Sequence, residues 1–136
     1  MNVRLWGKNY NARVFSGEII MLNIDGTGVR RSVGGSDPSW SPDGKTIAYH
    51  GKGGYWVIDA DDENGSSKKF LFSTESIIKS GVSVPPRWSP DGKYLTVGKK
   101  LWFYTDGIYV IPRDNPKRKI WIDVDGENIG GMSWAK

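Results

Sequence analysis

An eight-residue segment occurs twice in this chain, and the repeat constrains the fold more than any other feature of the sequence. Residues 38–45 read Pro-Ser-Trp-Ser-Pro-Asp-Gly-Lys, and residues 86–93 read Pro-Arg-Trp-Ser-Pro-Asp-Gly-Lys. A shortened copy, Met-Ser-Trp-Ala-Lys, occupies residues 132–136. The tryptophans of the three copies are 48 and 46 residues apart. A period in the mid-forties is typical of a β-propeller, in which each blade contains four short strands.

The residues between the copies predict short strands joined by tight turns. Apolar segments follow each copy, first near residues 46–49 and 94–97 and then near 54–59 and 107–112. In Ser-Pro-Asp-Gly, proline fixes φ, aspartate bonds to nearby backbone and glycine accepts a positive φ, so the segment predicts a tight turn. We name the strands of a blade a to d from the central axis outward. The turn then joins strands a and b, and the tryptophan before it is expected to pack between blades.

The repeat resembles the WD-like propeller repeat of the TolB family. The resemblance is carried by Trp-Ser-Pro-Asp-Gly-Lys, by the apolar strand that follows, and by the apolar-Asp-Ala-Asp turn at residues 58–61. It spans essentially the whole chain, with two strong copies and one divergent copy. The same repeat occurs in propeller domains attached to prolyl-oligopeptidase-type peptidases. The resemblance implies a six-bladed ring and a function in binding other proteins.

The pattern predicts an all-β fold of three four-stranded blades, which is half of a six-bladed β-propeller. Blade 1 takes strands b to d from residues 1–34 and strand a from residues 131–135. Blade 2 covers residues 36–72, and blade 3 covers residues 84–123. At 136 residues, one domain is expected.

Three blades are fewer than the four to eight that usually close a ring, and an open arc leaves sheet edges and apolar blade faces uncovered. We therefore expect a homodimer in which two chains form one ring and exchange their C-terminal strands. The residues expected at this closure are Met1, Val3, Leu5, Met132 and Trp134. An excerpt of a longer propeller would show the same pattern, so the sequence leaves both alternatives open.

The composition excludes several kinds of catalytic and metal site. The chain has no cysteine and a single histidine, His50. Disulfides, thiolate nucleophiles, cysteine-ligated zinc and histidine clusters are therefore excluded within one chain, and a catalytic dyad would depend on His50 alone. A serine hydrolase elbow fails at Pro85, and a phosphate-binding loop would need glycine where Ser39 stands. We predict no catalytic residue, no metal and no cofactor.

Charge and hydropathy give a weaker indication of partners and compartment. The net charge is +4, and short basic runs recur on three outer-strand segments, near residues 30–31, 68–69 and 117–119, so lysine and arginine are not gathered on one element. Nucleic acid is therefore not an expected partner. No stretch approaches the ~18 apolar residues of a membrane span, so membrane insertion is not expected. The compartment stays open: cytoplasmic as numbered, or periplasmic or secreted if a signal peptide was removed.

The binding face follows from the propeller topology. The b–c and d–a connections emerge on one face, whereas the short a–b and c–d turns emerge on the other. The connections on the first face are predicted to be long irregular loops at residues 8–16, 50–53, 73–86, 99–106 and 125–130. Irregular loops on a regular scaffold usually carry binding. The candidate residues for a partner or ligand on this face are Tyr10, Arg13, His50, Lys52, Arg87, Trp102, Tyr104 and Asp106.

The sequence thus predicts a non-enzymatic scaffold that presents these loops around a central channel to a protein, a peptide or a small polar ligand. One alternative is a propeller that filters substrates for a peptidase, which would need a separate hydrolase domain. The other is a propeller-type enzyme with acidic residues converging in the channel, for which Asp37, Asp106 and Glu127 are the candidates.

Overall fold

The structure is a computed structural model that describes three antiparallel sheets built from eleven strands. The described residues are 2–6, 17–23, 25, 27–28, 30–62, 64–73, 85–101, 104–123 and 133–135. We keep the names blades 1, 2 and 3 for the three sheets.

Each sheet is a meander in which neighbouring strands follow one another along the chain. Blade 1 contains β1 (Asn2–Trp6), β2 (Glu18–Leu22) and β3 (Arg30–Gly34). Blade 2 contains β4 (Ser36–Trp40), β5 (Thr46–Gly51), β6 (Gly54–Asp59) and β7 (Lys69–Ser73). Blade 3 contains β8 (Arg87–Trp88), β9 (Tyr94–Leu101), β10 (Tyr104–Pro112) and β11 (Ile120–Asp123). The predicted order of strands b to d in blade 1 and a to d in blades 2 and 3 is therefore present.

The repeated Ser-Pro-Asp-Gly segment forms the predicted tight turn. The Ser41 hydroxyl donates to the Asp43 carboxylate and accepts from the Thr46 backbone N–H, while Asp43 also accepts from the Lys45 N–H. These bonds, led by the one from Ser41, lower the pKa of Asp43 to about 2. Gly44 follows with a φ of 67°. The second copy makes the same bonds with Ser89, Asp91, Lys93 and Tyr94, and its glycine, Gly92, has a φ of 70°.

The core consists of two apolar layers, one on each face of blade 2. Successive residues of a strand face opposite sides of its sheet, so β5 contributes Ile47 and Tyr49 to one layer and Ala48 to the other. The layer between blades 1 and 2 contains Ile19, Met21, Ile47, Tyr49, Ile58 and Ala60. The layer between blades 2 and 3 contains Ala48, Tyr55, Trp88, Leu95, Val97 and Ile111.

The C-terminal segment differs from the prediction. Residues 131–135 were expected to form a strand, but residues 133–135 form none, and 131–132 lie outside the described residues. Trp134 instead packs against blade 3, where its indole N–H donates to the Arg87 carbonyl at 3.4 Å and its ring stacks on Tyr94. A strand needs a free sheet edge beside it, and the edge predicted for this segment is that of blade 1 of a second copy. The basic segment 117–119 also differs, since it lies in a 3-10 turn, Pro116–Arg118, before β11.

Arg113 joins blade 3 to the first turn of blade 2. Its guanidinium donates to the Thr46 hydroxyl at 2.7 Å and to the Asp43 carboxylate at 3.2 Å. The same group lies over the ring of Trp88, 5.3 Å from its centroid. Arg113 therefore holds together the two copies of the repeat.

We expect Arg113→Ala to lower the free energy of unfolding by about 1–2 kcal/mol, because it leaves the buried Thr46 hydroxyl without this donor and uncovers Trp88. Urea denaturation followed by fluorescence measures the change. Arg118→Ala is the matched control, because Arg118 is an exposed arginine in the neighbouring 3-10 turn, and its loss is expected to stay within about 0.5 kcal/mol. Equal losses in the two variants would contradict the bridging role.

Candidate functional site

The described part of the predicted binding face is the rim of blade 2, where β4 begins and where β5 turns into β6. Ser36 pairs with His50 across strands β4 and β5, and Gly51 pairs with Gly54 across the hairpin. Only Lys52 and Gly53 form the turn, and Gly53 has a φ of 80°. The prediction of a long irregular loop at residues 50–53 is therefore wrong. His50 lies in a strand and is positioned by the sheet itself.

Asp37 is held in an unusual backbone conformation at this rim. Its φ is 53°, and among the described residues it is the only non-glycine residue with a positive φ. It precedes Pro38 at an irregularity of the β4–β5 ladder between Ser36 and Ser39. The Ser36 hydroxyl donates to its carboxylate at 2.9 Å. Bulges of this kind redirect side chains, and such strained residues are frequent at functional sites.

His50 is a half-buried imidazole beside this carboxylate. Its ring meets the fully buried ring of Tyr55 edge to face, with 5.2 Å between centroids. Burial lowers the pKa of His50 below its ordinary value, and the negative charge of Asp37 opposes this effect in part. At pH 7 the rim therefore presents a carboxylate and a neutral imidazole, and a neutral imidazole both donates and accepts hydrogen bonds.

The structure also describes two of the predicted basic residues, Lys52 and Arg87. Lys52 is exposed at the tip of the β5–β6 hairpin, and its carbonyl accepts from the Trp56 indole N–H at 3.0 Å. Arg87 is exposed at the start of β8, the first strand of the next blade, and its carbonyl accepts from the Thr96 hydroxyl at 3.1 Å. The backbone carbonyls of Lys52 and Arg87 are thus both fixed by hydrogen bonds, while their side chains are exposed.

The remaining predicted residues divide into two groups. Tyr104 and Asp106 lie in β10 rather than in a loop, because β9 and β10 continue their pairing outward to Leu101 and Tyr104, with an irregularity between Thr105 and Gly107. The prediction of an irregular loop at residues 99–106 is wrong for this reason. Outside the described residues lie Met1, Tyr10, Arg13, Trp102, Glu127 and Met132.

On the opposite face, the turn around Asp62 is held by hydrogen bonds to its own carboxylate. The Asp62 carboxylate accepts from the backbone of Asn64 and Ser67 and from the Ser66 hydroxyl, with Ser67 the largest contributor, and its pKa lies well below the usual range. Over the part of the chain that the structure describes, no group of three or more histidine, aspartate or glutamate side chains is arranged to hold a metal ion. Nor does any helix there have the length and apolarity needed to cross a bilayer.

One face of blade 3 exposes apolar side chains that the repeat pattern alone did not identify. Ile108 pairs with Ile122 and Val110 pairs with Ile120, so all four lie on the face turned away from blade 2. Ile120 and Ile122 are 58% and 45% exposed, and Tyr94 on the same face is 39% exposed. A shallow concavity of about 990 Å³ adjoins them.

Blade 2 shows what this kind of face looks like when it is covered. On the face of blade 2 turned towards blade 3, Ala48 and Tyr55 are fully buried under the next blade. The corresponding face of blade 3 therefore has the composition of a blade interface without a blade packed on it.

Comparisons with known proteins show a likeness in fold. No protein-family model matches the chain, and no curated protein matches it in sequence. Among solved structures, the chain is similar to TolB from Acinetobacter baumannii, with a TM-score of 0.61 and 19% sequence identity. The match covers 81% of this chain and 27% of that one, so the chain spans about a quarter of the length of the structure it resembles. The likeness supports a TolB-like β-propeller fold at a coarse level.

Proposed function

We propose that the chain is a non-enzymatic binding scaffold that presents the blade rim containing Asp37 and His50 to a protein, a peptide or a small polar ligand. The observation that supports this function is the fixed placement of the pair on β4 and β5. His50 is held by its strand pairing with Ser36, and Asp37 lies at the neighbouring bulge, where the Ser36 hydroxyl donates to its carboxylate, so little conformational entropy is lost when the pair binds. With one histidine and no cysteine in the sequence, hydrogen bonding and charge are the chemistry this rim offers.

We further propose that two copies form one six-bladed ring by exchanging their C-terminal strands. The TolB-like fold and the chain-order meander of each sheet support a propeller arc. The uncovered apolar face of blade 3 supports the presence of a further blade beside it. The closure would include the predicted residues Met1, Val3, Leu5, Met132 and Trp134. Light scattering on a sizing column is expected to give about twice the chain mass of 15.2 kDa.

The binding function is tested with displayed random short peptides selected on the purified wild-type protein. We expect selected peptides to lose about tenfold or more in affinity when either Asp37→Ala or His50→Ala is introduced, because each substitution removes one fixed polar anchor. Isothermal titration with a synthetic copy of a selected peptide measures the loss. Asp61→Ala is the matched control, since Asp61 is an exposed carboxylate in the c–d turn on the opposite face.

The outcomes separate a binding rim from a merely structural one. Peptides that bind the wild type and the Asp61→Ala variant equally, but not the rim variants, support the proposal. Peptides that bind all four proteins equally place the binding surface elsewhere and contradict it, as does the failure of any peptide to be enriched.

A further inference from the structure

Two buried polar atoms at the boundary between blades 1 and 2 lack a hydrogen-bond partner. They are the indole nitrogen of Trp40, on β4, and the hydroxyl of Tyr49, on β5. Tyr49 is fully buried, and both residues belong to the apolar layer that faces blade 1. Native proteins rarely leave buried donors unpaired, so each such atom requires an explanation. For the Trp40 nitrogen, the other copies of the repeat identify the missing partner.

The internal repeat shows which acceptor Trp40 lacks. The Trp88 indole N–H donates to the carbonyl of Ser39, the residue before Trp40, at 3.0 Å. The Trp134 indole N–H donates to the carbonyl of Arg87, the residue before Trp88, at 3.4 Å. In both cases the indole N–H of a tryptophan donates to the preceding blade. The acceptor is the carbonyl of the residue just before the tryptophan of that blade. For Trp40, the blade before is blade 1, which comprises β1, β2 and β3, and no strand among the described residues takes its innermost position.

We infer that this innermost position is a docking site for the C-terminal segment of a second copy, in which the Trp40 indole N–H donates to the backbone carbonyl of Ser133 of the partner subunit. Ser133 precedes Trp134 as Ser39 precedes Trp40 and Arg87 precedes Trp88. The inference rests on the proposed two-copy ring and adds the acceptor and the register at its seam.

The register follows from the two complete blades. Ser39 pairs with Ala48, and Arg87 pairs with Thr96. Ala48 pairs in turn with Val57, and Thr96 with Val110. The residue of β2 that corresponds to Val57 is Met21. Segments 17–21 and 53–57 align when Gly17 is matched with Gly53, and in both segments the apolar residues then face the following blade. The neighbour of Met21 on β1 is Val3, so Ser133 of the partner subunit is expected opposite Val3.

A second copy is the occupant that the structure favours. Within one chain, Trp134 already lies against blade 3 as the tryptophan of a following blade would, through its bond to Arg87 and its stacking on Tyr94. If blade 1 of the partner packs beside blade 3, this C-terminal segment becomes the fourth, innermost strand of that three-stranded blade. A twofold axis makes the exchange reciprocal, so that both seams are identical. The same arrangement covers the exposed isoleucines of blade 3.

An engineered disulfide tests the register, because the chain has no cysteine of its own. Val3→Cys combined with Ser133→Cys is expected to give a covalent dimer under mild oxidation, since directly opposed strand residues lie within disulfide range. The combination of Arg4→Cys with Ser133→Cys shifts one cysteine by one residue and turns it to the other face of β1, so it is expected to cross-link far less. Non-reducing electrophoresis and intact mass report the products.

The outcomes distinguish this inference from the two-copy ring. Dimers that cross-link at positions 3 and 133, but not at 4 and 133, support the docking site. Dimers that fail to cross-link at 3 and 133 overturn it while leaving the ring in place. Monomers at all concentrations overturn both proposals. A disulfide inside one chain overturns the inference, because the segment would then close on its own blade 1.

A conservative substitution tests the hydrogen bond itself. Trp40→Phe keeps an aromatic ring but removes the N–H donor, and we expect it to weaken dimerisation about five- to tenfold. Trp88→Phe removes the corresponding bond to Ser39 inside one chain and is expected to lower stability without changing the dimer dissociation constant. Sedimentation velocity over a concentration series measures both. An unchanged dissociation constant for Trp40→Phe would place Trp40 away from the seam and overturn the inference.

Discussion

Ile122→Glu is expected to turn the proposed two-copy ring into folded monomers. Ile122 is 45% exposed on the outer strand of blade 3 and shares the uncovered apolar face with Ile108. In one chain a glutamate there remains in water, so folding is little affected. Packing another blade on this face would strip water from the carboxylate, which costs several kcal/mol. We therefore expect the dimer dissociation constant to rise at least about 100-fold.

The matched control for this substitution is Phe70→Glu. Phe70 is 48% exposed on the outer strand of blade 2, so the change has the same chemistry and a similar exposure but lies away from the proposed seam. This variant is expected to remain dimeric, with a modest loss of stability because Phe70 packs edge to face on Trp56. Circular dichroism confirms folding, and light scattering gives the mass. Equal masses for both variants would mean that the apolar face of blade 3 is not an assembly surface.

The features predicted correctly from the sequence are those fixed by local chemistry and by repetition. The Ser41 and Ser89 turns form because proline, aspartate and glycine restrict the same few dihedral angles in both copies. Their period then sets the four-strand meander, and alternation along β5 places Ile47 and Ala48 in different apolar layers. Nothing outside a repeat is needed for these steps.

The features that the sequence did not reveal depend on contacts between repeats or on one backbone angle. Segments 50–53 and 99–106 were predicted to be loops because they connect the expected strands b and c, yet a hairpin continues for as long as its backbone can pair. Apart from Pro38, no neighbouring residue in the sequence indicates that Asp37 has a positive φ. The bridge from Arg113 to Thr46 and the unpaired Trp40 nitrogen appear only once the blades are packed.

Trp88→Ala is expected to have the largest effect on folding of any single substitution we propose. Trp88 is 9% exposed between blades 2 and 3, where it packs with Leu95 and Val97 in one apolar layer. Its indole N–H donates to the Ser39 carbonyl, and its ring lies under the guanidinium of Arg113. Removing a buried tryptophan side chain costs about 3–5 kcal/mol, which is comparable with the total stability of many domains. We expect a protein that is partly unfolded at 37 °C.

A second tryptophan separates this effect from the general cost of losing an aromatic ring. Trp121 lies on β11, is 36% exposed and contacts Tyr109 at 4.6 Å between centroids. Trp121→Ala is expected to cost about 1–2 kcal/mol, less than Trp88→Ala, since about a third of Trp121 is already exposed to water. Urea denaturation gives both free energies of unfolding. Because Trp88 lies at the boundary of two repeats, its loss should also shorten the protection of β5 and β9 amides from hydrogen exchange. A loss of similar size in both variants would mean that the interblade layer does not hold the arc together.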